Sequence, residues 1–111
     1  MTRHKNAAEI AEILSEIYEQ KFGGKSRGRF QISRSMFRTL VGRKVLRDAF
    51  IDEVASECLD LGYILFVIGD IIAIIEESVV IRYRSVTKSI LNSYAGELDD
   101  TETTDEDDDE L

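Results

Sequence analysis

The sequence predicts an α+β fold: three to four helices, a small antiparallel sheet and a disordered acidic C-terminal tail. Three observations carry this expectation. Apolar residues recur at helical spacing over several stretches. Two unbroken apolar runs flank a two-residue Gly-Asp turn. The final segment holds too few large apolar side chains to build a core. At 111 residues the chain is one domain long. We place that domain at residues 1–95 and the tail at 96–111.

Asn6 is a helix cap, and Glu9, three residues on, completes a capping box. Ile10, Ile13, Leu14, Ile17 and Tyr18 then form one apolar stripe, with Glu9, Glu12, Glu16 and Glu19 on the other side. Gly23-Gly24 is expected to end this helix. A polar loop leads to Arg29-Phe30-Gln31-Ile32, whose alternation reads as a short strand. Ser33 or Ser35 caps a second, short helix that buries Met36, Phe37, Leu40 and Val41. Arg34 and Arg38, four apart, share its outer face. Gly42 breaks it.

A third helix is expected from about Arg43 to Leu61. Leu46, Phe50, Val54 and Cys58 are spaced by four, and Ala49, Ile51, Ala55, Leu59 and Leu61 widen the stripe. Gly62 stops it. Tyr63 to Ile68 and Ile71 to Ile75 read as strands joined by a type II′ turn at Gly69-Asp70. Both strands are apolar at every position, so both sheet faces need cover, by helices or by a second subunit in a homodimer. Val79-Val80-Ile81 reads as further strand. Val86, Ile90 and Tyr94 line a short last helix capped by Ser85.

Charge is sorted along the chain. Between Gly23 and Arg47 lie Lys25, Arg27, Arg29, Arg34, Arg38, Arg43, Lys44 and Arg47, and no acidic residue. Residues 96–111 hold ten acidic residues and no basic one. Without that tail, 14 basic residues face 12 acidic ones, so the net charge of -8 belongs to the tail and not to the body. A mildly basic body with one cationic segment attracts polyanions. The tail either competes for that segment or serves as a solubilising terminus. Arg82, Arg84 and Lys88 bracket Tyr83 as a second basic group.

The order helix, short strand, short helix, longer helix and hairpin, with the Val41-Gly42-Arg43 turn between two helices, resembles the winged-helix branch of the helix-turn-helix proteins. The resemblance spans about residues 6–81. It implies DNA binding or, as in many such domains, protein–protein recognition. On the first reading all eight cations of the segment contact phosphates, with the start of the third helix, the second helix and the loop as the surface. The outer face of the third helix beyond its first turn is acidic (Asp48, Asp52, Glu53, Glu57, Asp60), and the two-residue wing carries Asp70. Both disfavour base readout along that helix. The alternative is an adaptor or inhibitor that turns the same arginines on an acidic protein.

Catalysis fails on inventory. The single His, at position 4 near a terminus expected to fray, excludes a His-based metal cage or a Cys/His nucleophile pair, and no cofactor motif is present. Asp52 and Glu53 are adjacent on a helix and point apart. Asp107-Asp108-Asp109 lacks the glycine and terminal glutamate of a calcium loop. The apolar stretch from Leu61 to Ile75 is shorter than the roughly 20 residues of a membrane-spanning helix. The N-terminus lacks a signal-peptide apolar region, and the chain reads as cytoplasmic.

Overall fold

The structure, a computed structural model, describes residues 5–96. The expected tail, residues 97–111, lies outside the described residues. In chain order the elements are α1 (Ala7–Tyr18), β1 (Phe30–Ser33), α2 (Arg34–Val41), α3 (Asp48–Asp60), β2 (Tyr63–Ile68), β3 (Ile71–Glu76), α4 (Glu77–Ile81) and α5 (Lys88–Tyr94). The chain is mixed α+β, with a three-stranded antiparallel sheet ordered β1-β3-β2.

Side-chain caps start α1, α2 and α5. The Asn6 side chain accepts from the Glu9 amide at 2.8 Å, and Glu9 accepts from the Asn6 amide at 2.9 Å, closing the expected capping box. α1 ends earlier than expected, at Tyr18. Gly23 and Gly24 instead form the tip of a miniature hairpin in which Phe22 and Lys25 exchange two backbone hydrogen bonds. Both glycines have positive φ, as a type I′ turn requires. Ser33, not Ser35, caps α2 by accepting from the Met36 amide. Gly42 closes α2 in the left-handed region at φ +86, where a Cβ would be strained.

Three further expectations are corrected. α3 begins at Asp48 rather than Arg43, because residues 43–47 form an open turn and Arg47 is its extended N-cap. Val79-Val80-Ile81 belongs to helix α4, not to a strand. β3 is already flanked on both sides, and its ladder ends just past Glu76, where the Glu77 amide donates to the Gly62 carbonyl. A helical turn satisfies its own backbone there. Thr87, not Ser85, caps α5 by accepting from the Ile90 amide.

The register sorts side chains by face. Leu65 and Phe30 lie opposite Ile74, and Val67 and Ile32 lie opposite Ile72. Ile72 and Ile74 point into the core with Ile10, Leu14, Phe37, Val54 and Cys58, all but fully buried. Met36, expected inside, is 64% exposed: it sits on the turn of α2 opposite Phe37 and Val41. The outer sheet face is only partly covered, with Ile75 buried and Phe66, Ile68 and Ile71 open to solvent. Among the described residues no helix is long and apolar enough to cross a membrane.

Two outcomes are expected. Phe37→Ala, which empties a fully buried site, lowers unfolding free energy by about 3–5 kcal/mol in urea titration. Burial pushes the Cys58 thiol up to about 11, with Glu57 adding to the shift. A disulfide reagent near neutral pH therefore labels Cys58 no faster than the protein unfolds; labelling at a free-thiol rate contradicts its burial.

Candidate nucleic-acid interface

The sheet divides the cationic segment in two. Lys25, Arg27 and Arg29 lie in the α1–β1 loop. Arg34, Arg38, Arg43, Lys44 and Arg47 lie on α2 and the turn after it. Arg27 is bound to Glu76 at the end of β3, while the Arg34 amide donates to the Asp70 carbonyl at the hairpin turn. These are opposite ends of a six-residue strand, roughly 17 Å apart at about 3.4 Å per residue. The expected single surface of eight cations is therefore two groups.

Arg27 is committed to structure. Its guanidinium donates to both oxygens of Glu19, at 2.8 and 2.7 Å, and reaches Glu76 at 3.1 Å. It also lies over the Tyr18 ring, 5.2 Å from the centroid. Tyr18 accepts from the Glu76 amide through its hydroxyl, and Tyr63 donates to Glu19. This knot ties the end of α1 to the far end of the hairpin. The two carboxylates push the Arg27 pKa further up, Glu19 first. Burial, and then the Glu19 carboxylate, push the Tyr63 phenol up. The Arg27 hydrogen bond holds the Glu19 carboxyl below its ordinary 4.5. Lys25 and Arg29 are exposed beside this knot.

The second group is arranged by α2 and the turn. Arg34, half-buried, donates to the Leu46 carbonyl at 3.2 Å and to Asp48 at 3.3 Å, linking the start of α2 to the start of α3. With Ser33, Ser35, Arg38 and Asp70 it lines a cleft of about 320 Å³. Arg43 stacks on Phe50, 4.3 Å from the ring centroid, a cation–π contact that orients its guanidinium. Its Nε, buried, has no hydrogen-bond acceptor among the described residues. Arg43 and Arg47 line a second cleft of about 310 Å³ with Asn6, Ala7, Phe50 and the acidic Glu53. Lys44 is exposed between the two clefts in sequence.

Sequence reasoning passed over Lys5. Its amide donates to the Val41 carbonyl and its Nζ to the Leu40 carbonyl at 3.1 Å, which places a further cation at the C-terminal end of α2. The signal was present in the basic N-terminal run, but only the fold brings residue 5 to residue 40. The exposed side of α3 is acidic, as expected, through Asp52, Glu53 and Asp60. Among the described residues no group of His, Cys, Asp and Glu side chains is placed to hold a metal ion. No family model matches the chain, and no curated protein or solved structure is detectably similar to it.

The Glu19–Arg27 pair makes acid stability testable. Because its folded pKa is lowered, Glu19 adds stability above about pH 4.5 that is lost as pH falls through the folded value. Arg27→Met is expected to flatten the dependence of stability on pH below 4.5 relative to the parent; an unchanged acid limb rejects the coupling.

Proposed function

We propose that the chain is a winged-helix-type module that binds the phosphate backbone of nucleic acid, duplex DNA in preference to RNA, as a regulatory or accessory factor of the cytoplasm. The winged-helix reading is supported by the order α1-β1-α2-α3-β2-β3 and by the sheet order β1-β3-β2. The observation that carries the function is the gathering of Arg38, Arg43, Lys44 and Arg47, with Lys5 behind them, around the end of α2 and the turn that follows. Apart from Lys5, none of these side chains hydrogen-bonds or ion-pairs with a protein acceptor among the described residues. Charged nitrogens without protein partners are available to phosphate oxygens. Arg34, shared with Asp48, adds a fifth contact when phosphate displaces that exposed carboxylate.

The same geometry limits what such a surface reads. The acidic exposed side of α3 is repelled by phosphates, and no basic residue stands at Gly69-Asp70. Backbone contact without extended base readout is the mode this charge distribution favours. The second reading is an adaptor or inhibitor with an acidic protein as partner. It is favoured by one observation: guanidinium groups of this chain already hold carboxylates, Arg27 two of them and Arg34 one.

Salt separates the two readings. Five phosphate contacts give a slope of about -4.5 for log affinity of duplex DNA against log salt. Removing either Arg38 or Lys44 reduces that slope by about 1, whereas Arg27→Met leaves it unchanged. Deleting residues 97–111 is expected to tighten binding at low salt by removing a competing polyanion. No binding at low salt, with or without those residues, rejects the nucleic-acid reading and leaves the acidic protein partner.

A further inference from the structure

α5 is an amphipathic helix whose apolar side is left open among the described residues. Every residue from Ile81 to Gly96 is exposed, and α5 packs extensively against no other element. Ile90, Leu91 and Tyr94 share one side of it, and Val86 precedes them. Tyr94 is 85% exposed and Val86 73%. Four large apolar side chains on one short segment form a stripe that water solvates poorly, and such a stripe marks an association surface.

The same chain carries a matching groove. Ala55, Ser56 and Leu59 of α3, with Ile64 and Leu65 of β2, line an apolar cleft of about 210 Å³. Asp52 stands one helical turn before Ser56 and Asp60 one turn after it, so the cleft is rimmed by exposed carboxylates. Neither forms an ion pair among the described residues. Charge complements shape. α3 carries five acidic residues and no basic one, while Arg82, Arg84 and Lys88 are the only charged residues between Ile81 and Gly96.

We propose that α5 is an exchange arm. Its apolar stripe seats in the α3–β2 groove of a second copy, and Arg84 and Lys88 meet Asp52 and Asp60 on the rim. A chain that presents both halves of a joint, with its own arm undocked, closes reciprocally about a two-fold axis, giving a homodimer with two equivalent contacts. This places the association on the arm and groove rather than on the open outer face of the sheet. It is independent of any nucleic-acid ligand.

Sedimentation equilibrium of the full chain tests it. The expected mass across the micromolar range is twice 12.6 kDa. The double variant Ile90→Asp, Leu91→Asp changes residues that support no other element, so it keeps its thermal transition and sediments as a monomer. Charge reversal gives the sharper readout. Arg84→Glu with Lys88→Glu is monomeric, as is Asp52→Lys with Asp60→Lys, because like charges face each other in each. An equimolar mixture of the two restores the dimer through opposite charges at both contacts. A parental chain that stays monomeric overturns the proposal, as an arm docked on its own groove would. So does a dimer that survives Ile90→Asp, Leu91→Asp, or a mixture that fails to reassemble.

Discussion

Burial of Ile72 and Ile74 beneath the helices is the constraint on which the rest of the structure depends. β3 is the central strand, so its register sets both neighbours. Ile72 fixes Ile32 and Val67 opposite it, and Ile74 fixes Phe30 and Leu65. Slipping that register by one residue would expose both isoleucines and bury Ala73 in their place. Each buried isoleucine contributes roughly 1.5–3 kcal/mol. Phe37, Leu14 and Val54 share their buried cluster, which ties α1, α2 and α3 to the sheet. The edges of the sheet inherit their position from that choice.

The proposed function rests on where the strand ends fall. The cationic segment is continuous in sequence but is cut by β1, which carries no charge. Arg27, before β1, lands beside Glu76, and Arg34, after it, lands beside Asp70 and Asp48. Arg27 becomes a strut, closing a knot of two tyrosines and two carboxylates. Arg38, Arg43, Lys44 and Arg47 keep their donors free of protein acceptors among the described residues, and the proposed surface is built on them. The division is a matter of partners: an arginine facing two carboxylates has its donors filled, whereas one stacked on Phe50 keeps most of its donors. A residue's type made it a candidate, and its neighbours across the sheet decided its role.

Much of the architecture was legible because the signals are local. The Asn6–Glu9 capping box, the Phe50–Val54–Cys58 spacing and the Gly69-Asp70 turn are local patterns, and each reads as it folds. The misreadings share a cause. Arg43 to Arg47 has helical spacing, but the chain opens there as Arg34 takes the Leu46 carbonyl and Arg43 stacks on Phe50. Val79-Val80-Ile81 has strand propensity, but no strand edge reaches it. Propensity yields wherever tertiary partners are present or missing.

The sequence by itself determined the Asn6–Glu9 cap, most of the core stripes, the hairpin and the sorting of charge, since these depend on spacing along the chain. Only the tertiary structure decided which arginines are spent on carboxylates, that Lys5 joins the end of α2, and that α5 is left without cover. The contacts among these reach from eight positions, Arg27 to Glu19, up to 49, Arg27 to Glu76. They exist only once burial of the central strand has brought the distant segments together, and no local pattern encodes the partner.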